Sequence, residues 1–115
     1  MTTNEAMDQT FHAFAHETRR DILDRLKASP GISVGQLAGH YDVSRITILN
    51  HLKVLEEAGL VIGEKDGRSR RLYINLVPIQ MIYDRWTDDY GGYWAGRLTS
   101  IKEAVERAAG KGETK

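Results

Sequence analysis

The stretch Ser44-Arg45-Ile46-Thr47-Ile48-Leu49-Asn50-His51-Leu52-Lys53-Val54-Leu55-Glu56-Glu57-Ala58-Gly59 decides how the rest of the chain is read. Ser44 suits the free amides of a following helix and Ala58-Gly59 suits its stop, so the pattern predicts a helix ending near Glu57. Ile48, Leu52 and Leu55 recur at helical spacing, with Thr47 and His51 alongside, and mark the side turned to a core. Arg45, Ile46, Leu49, Asn50 and Lys53 fall on the opposite side. That outer set matches the chemistry of base edges: Arg45 for guanine acceptors, Asn50 for adenine, and Ile46 or Leu49 for a thymine methyl. Ser44 and Lys53 suit phosphates, which position a protein on a duplex without reading sequence.

Upstream, Ala6, Met7, Phe11, Phe14 and Ala15 give residues 5–15 one apolar helical face. Thr18-Arg19-Arg20-Asp21 reads as the start of a second helix carrying Ile22, Leu23 and Leu26, which Ser29-Pro30-Gly31 ends. Ser33-Val34-Gly35-Gln36 is a capping box opening a third helix with Leu37 and Ala38 inward, and Tyr41-Asp42-Val43 is a tight connection to the fourth. Downstream the period changes. Residues 60–65 and 71–76 are β-type runs around a turn at 66–70, a hairpin. Pro78 opens a last helix with apolar positions from Ile79 to Val105, interrupted by Gly91-Gly92.

Helix, short turn, helix and hairpin is the order of a winged helix-turn-helix, mainly α with a small β-hairpin (α-α-α-α-β-β-α). We expect one domain over 1–115, with a core over 6–77, a C-terminal dimerisation helix over 78–109 broken at 91–92, and a disordered tail over 110–115.

The turn carries the charge that base recognition needs. Lys65, Arg68, Arg70 and Arg71 against Asp66 give +3 in seven residues, whereas the whole chain balances 16 basic against 16 acidic residues. Attraction to a polyanion must therefore be local. Arg68 or Arg70 is expected on phosphates or in an adjacent minor groove, with Arg71 beside them as a further contact. Composition is that of a globular protein, 41% hydrophobic and 28% charged. At 115 residues the core is modest, so pairing with a second copy is expected. No cysteine is present, which removes disulfides and thiolate metal sites. No apolar run approaches a membrane span, and the start lacks the features of a signal peptide, so a cytoplasmic location is expected.

Phe14-Ala15-His16-Glu17-Thr18-Arg19-Arg20-Asp21-Ile22-Leu23-Asp24-Arg25-Leu26 resembles the opening of ArsR-type (arsenical-repressor-like) regulators. Val43-Ser44-Arg45 through His51-Leu52-Lys53-Val54-Leu55-Glu56-Glu57-Ala58-Gly59-Leu60-Val61 is similar to their recognition helix and first strand, and Gly67-Arg68-Ser69-Arg70-Arg71-Leu72-Tyr73 to their wing. The resemblance covers about residues 6–77 and implies a homodimeric, sequence-specific transcriptional regulator, most simply a repressor, with first and last helices at the dimer interface. The aromatic tail, Trp86 and Tyr93-Trp94-Ala95-Gly96-Arg97-Leu98, resembles the branch with a long C-terminal helix. Metal-sensing members carry a Cys-x-Cys or a His/Asp set on the last helix; this chain has neither cysteine nor a histidine there, so no metal and no cofactor are expected.

His12 and His16 stand four apart, but a helix end between them and the lack of further ligands argue against zinc. His40 reads as a surface residue. His51 lies between core and groove and suits a structural hydrogen bond or, with Thr47, a DNA contact. Of Arg19 and Arg20, one is expected to pair with Asp21, Asp24 or another carboxylate, and one to reach phosphate. Phe11, Phe14, Tyr83, Trp86, Tyr90, Tyr93, Trp94 and Leu98 are expected at a homodimer interface; packing on the first helix, or a small-molecule pocket edged by Asp84, Asp88 and Asp89, are the other readings. The function expected is double-stranded DNA binding. An alternative is a protein-interaction module that reuses the winged fold, for which a basic turn has no purpose. No phosphate loop, catalytic triad or carboxylate pair suggests an enzyme. The operator, the sign of regulation and any effector are left open.

Overall fold

The computed structural model describes residues 3–87 and 91–113, with side chains over 4–87, at 97 and over 99–109. In chain order the elements are α1 (Thr3–Phe14), α2 (Glu17–Ala28), β1 (Ile32–Ser33), α3 (Val34–Ala38), α4 (Arg45–Glu57), β2 (Val61–Asp66), β3 (Ser69–Ile74), α5 (Val77–Thr87) and α6 (Gly91–Glu113). They fall into two compact units, residues 1–80 and 81–115.

In the first unit, each short helix begins where a local acceptor meets its free amides. Ser33 and Gln36 form the reciprocal capping box of α3, with both bonds at 3.1 Å. Ser44 Oγ accepts from the Thr47 amide at 3.2 Å and starts α4. Gly59, with φ of +74°, takes the left-handed conformation that ends α4. The start of α2 differs from the sequence expectation. Its cap is His16, whose Nδ1 accepts from the Thr18 amide at 3.1 Å, so Thr18 lies inside the first turn.

The core joins Ile22, Leu23 and Leu26 of α2 to Val34 and Leu37 of α3, Ile48, Leu52 and Leu55 of α4, and Leu60, Val61 and Leu72 of the sheet. Side chains of this size stabilise by about 1.5–3 kcal/mol each when fully buried, so these set how α4 is seated. Tyr41, in the connection before α4, donates its hydroxyl to Asp21 Oδ2 at 2.5 Å, and Arg25 Nε donates to the same oxygen at 2.9 Å. The helix-turn-helix turn is thereby tied to α2. The Tyr41 hydrogen bond, aided by Arg25, holds the Asp21 carboxyl below its ordinary range, while burial and the Asp21 charge push the Tyr41 hydroxyl up.

The sheet has three antiparallel strands in the order β1-β3-β2. The hairpin is as expected, with Asp66 opposite Ser69 and positive φ at Gly67 alone, the pattern of a type II′ turn. The third strand, β1, was not expected; Ile32 pairs with Leu72 and Ser33 with Arg71. Two residues carry no detectable alternation, and β1 exists because β3 offers it a backbone partner.

Beyond the hairpin, helix continues as α5 to Thr87 and resumes as α6 at Gly91, running to Glu113 through part of the segment expected to be a disordered tail. Gly91 and Gly92, expected to break the last helix, are the first described residues of α6, and residues 88–90 before them lie outside the described residues. No helix among the described residues is long and apolar enough to cross a membrane.

Candidate nucleic-acid interface

On α4, burial separates two sides. Ile48, Leu52 and Leu55 are at most 1% exposed, whereas Arg45, Asn50 and Lys53 are exposed, as are Ile46 at 69% and Leu49 at 38%. Isoleucine left in water at the centre of a polar helix face is the placement a thymine methyl would use. Thr47 and His51 lie half-buried along the edge between the two sides, in line with Ser44, whose hydroxyl bonds to the Thr47 hydroxyl at 2.9 Å.

The wing borders the other edge. Arg45 and Leu49 of α4 face Arg68, Ser69 and Arg70 across a recess of about 370 Å³ that also reaches Ser33. Three guanidiniums line one groove, an arrangement suited to a phosphate. The two wing arginines within β3 are engaged inside the protein. Arg70 is ion-paired with Glu56 of α4, and Arg71 donates to Asp66 Oδ2 at 3.0 Å and to the Gly31 carbonyl at 3.3 Å. A Cβ on Gly63 would stand 2.5 Å from Arg70 Nη2, so the bare glycine makes room for that guanidinium. Lys65 and Arg68 have no ion-pair partner among the described residues.

Behind the Thr47–His51 edge, Arg19 is only 8% exposed. Its Nε donates to the Ala13 carbonyl at 2.9 Å, Nη2 to the His12 carbonyl at 3.1 Å, and Nη1 to His51 Nδ1 at 3.3 Å. This corrects the expected carboxylate pairing: Arg19 satisfies the last carbonyls of α1, where a cation is favoured. Arg20 donates to the Phe14 carbonyl and is likewise engaged locally. The His16 ring lies 4.4 Å from the His51 ring, tilted by 48°. Burial, with the charges of His16 and Arg19 beside it, holds the His51 imidazole below the ordinary histidine value.

The structure thus gathers Arg45, Ile46, Leu49, Asn50, Lys53 and Arg68 on one accessible side, sets Ser44, Thr47 and His51 along its edge, and holds Arg70 and Arg71 in ion pairs. Sequence reasoning missed Glu56, Gly63 and the His51 contact of Arg19; a carboxylate in the last turn of α4, two turns on from Leu49, was the one signal available for the first. Of the residues expected at a dimer interface, Phe11, Tyr83 and Trp86 are exposed at 46%, 61% and 60%, and Phe14 packs against the core. Tyr90 lies outside the described residues, as do the side chains of Tyr93, Trp94 and Leu98. Among the described residues no group of three or more His, Asp or Glu is placed to hold a metal ion.

A helix-turn-helix domain family matches residues 14–64. The chain is 39% identical over 106 residues to the HTH-type transcriptional regulator Rv2034 of Mycobacterium tuberculosis, covering 92% of this chain and 94% of that one. It is 31% identical over 74 residues to the transcriptional repressor SdpR of Bacillus subtilis, covering 64% of this chain and 81% of that one. The solved structure of an ArsR-like transcriptional regulator from Rhodococcus sp. RHA1 matches with a TM-score of 0.66 and 32% identity, over 89% of this chain and 94% of that one. Fold, exposed α4 face and relatives together define a DNA-binding transcriptional regulator of the winged helix-turn-helix class. Within that class, the chain belongs to the ArsR-type regulators.

Proposed function

We propose that the chain acts in the cytoplasm as a homodimeric repressor whose α4 reads bases in the major groove while the wing follows the backbone. The observation that carries this is the side of α4 opposite Ile48, Leu52 and Leu55, where Arg45, Ile46, Asn50 and Lys53 stand exposed without an apolar lid. Arg45 and Asn50 serve as base readers, Ile46 and Leu49 as methyl contacts, and Ser44, Thr47, Lys53 and Arg68 as phosphate contacts. Arg70 and Arg71 act from within their ion pairs, as second-line cations.

Two-fold pairing is supported by the apolar surface of the C-terminal region, with Met81, Tyr83 and Trp86 of α5 and Ile101 and Val105 of α6 all exposed in the single chain. Repression is supported by SdpR, which is named a transcriptional repressor. Selection of bound duplexes from a random pool at fixed salt tests the reading. We expect an inverted repeat whose half-sites are centred about 10–10.5 base pairs apart, or a multiple of that spacing. A pool that shows no enrichment, or enrichment without two-fold symmetry, counts against sequence-specific reading by a dimer.

A further inference from the structure

Ser44, Thr47 and His51 form a polar stripe along the edge of α4 that faces α2, beside the exposed face rather than on it. The first two are hydroxyls. The third is an imidazole whose state is set by its neighbours. Arginine has only donors, so the contact between Arg19 Nη1 and His51 Nδ1 requires a lone pair on Nδ1. The remaining proton of a neutral ring must then sit on Nε2. No buried side-chain nitrogen or oxygen among the described residues lacks a hydrogen-bond partner, and Nδ1 is the ring nitrogen that His51 has engaged, so Nε2 reaches solvent.

Arg19 is itself over-determined. Two carbonyls in the last turn of α1, those of His12 and Ala13, hold its guanidinium, and its burial leaves it no aqueous alternative. Its third donor therefore arrives at His51 from a fixed direction. The His16 ring covers part of the His51 ring, while His16 Nδ1 is committed to capping α2. Around His51 the charged and titratable neighbours are thus Arg19 and His16, and neither offers an acceptor to the Nε2 proton.

We infer that Arg19 is a positioning residue for DNA binding: it fixes His51 as the neutral Nε2–H tautomer, and that N–H donates to a backbone phosphate beside the Ser44 and Thr47 hydroxyls. The inference rests on the DNA-binding reading of α4 and adds a contact to it. A neutral donor gives it a distinct signature. His51 strengthens binding to every sequence alike, because phosphates carry no base identity, yet it contributes nothing to counterion release.

The test has two arms. Nitrogen-15 shifts of the His51 ring, measured on the full chain without DNA at neutral pH, are expected to show a protonated Nε2 and a bare Nδ1. Affinity is then measured for a mixed-sequence duplex and for the duplex recovered by selection. His51→Asn keeps an acceptor for Arg19 but loses the outer donor, and is expected to weaken both duplexes by about tenfold with an unchanged salt slope. His51→Gln, whose amide nitrogen falls near Nε2, is expected to bind more tightly than His51→Asn. Arg19→Lys is expected to mix the tautomers and to weaken binding, but to add nothing in a His51→Asn background. If Arg19→Lys fails to fold, the wild-type ring shifts and the His51 pair still decide. A bare Nε2, an imidazolium at neutral pH, or wild-type affinity in His51→Asn overturns the inference. A wild-type chain that binds neither duplex removes the parent reading as well, and the ring shifts tell the two failures apart.

Discussion

Glu56, in the last turn of α4, is ion-paired with Arg70 of the wing, and Gly63 leaves the space in which the Arg70 guanidinium lies. The pair joins the two parts of the proposed DNA-facing surface and neutralises one of the wing's four cations. Its side chains remain 43% and 31% exposed, so its own contribution to stability is small, about 0–1 kcal/mol after solvent screening. Its larger effect is on charge. Glu56→Gln is expected to free Arg70, tighten binding to all duplexes, and steepen the dependence of log affinity on log salt by up to about 0.9. Anisotropy titrations at several salt concentrations check this; an unchanged slope means Arg70 does not reach phosphate.

Gly63→Ala is expected to act in the same direction by a different route. The added methyl would stand 2.5 Å from Arg70 Nη2, the far end of a flexible side chain, which moves away and gives up Glu56. Thermal stability is expected to change by no more than about 1 kcal/mol, because the backbone is not strained. A large loss of stability would show that the guanidinium cannot swing out.

Base readers and phosphate contacts are expected to separate cleanly. Arg45→Ala or Asn50→Ala relaxes preference at one base position, at about 1–3 kcal/mol each. Arg68→Ala or Lys53→Ala weakens all sequences alike and lowers the salt slope by about one unit. Repeating the selection with each variant distinguishes the outcomes, and a uniform loss from Asn50→Ala would remove it from the reading face.

Stability is expected to follow burial on α4. Leu52, 1% exposed, should cost about 2–5 kcal/mol as alanine, from lost transfer energy and the cavity left behind. Ile46, 69% exposed, should change stability by less than about 0.5 kcal/mol as alanine. Urea unfolding of the two variants measures the contrast, and a comparable loss from Ile46→Ala would place that side chain in an apolar contact.

Acid should weaken the fold in two stages. His51 binds its proton less readily when folded than when unfolded, since burial and the charges of His16 and Arg19 oppose it. Unfolding therefore takes up a proton below the ordinary value of 6.5; this stability is full above 6.5 and is lost as pH falls through the depressed folded value. Asp21 adds a second stage in the same sense, full above 3.8 and lost below it as its bonds to Tyr41 and Arg25 are protonated away. Urea midpoints across pH, compared with those of His51→Asn, check the first stage; an identical decline in the variant would assign it to another group.

The features that were readable from the sequence are those whose causes are local. The caps at Ser33 and Ser44 and the stop at Gly59 involve residues within a few positions of one another, and the two sides of α4 follow from its period. What escaped depends on contacts between distant residues. His51 stands 32 positions from Arg19, and the Glu56–Arg70 pair forms only because a hairpin brings positions 14 apart together. A run of arginines accordingly reads as a bare cationic patch, although two of its members are already engaged by carboxylates. The cap of α2 was misplaced for a related reason: Thr18-x-x-Asp21 has the right letters, but His16 supplies the acceptor first.

The shortest strand has the widest mechanical effect. With Gly31 donating to the Leu72 carbonyl at 2.9 Å and Ile32 and Ser33 laced to the middle strand, the root of the wing is stitched to the loop leading into α3. Backbone hydrogen bonds thus lace the wing and the approach to α3 together as the two sides of one caliper jaw. In a paired molecule of the kind proposed, a signal that switched binding on or off would act most simply by altering the span between the two jaws.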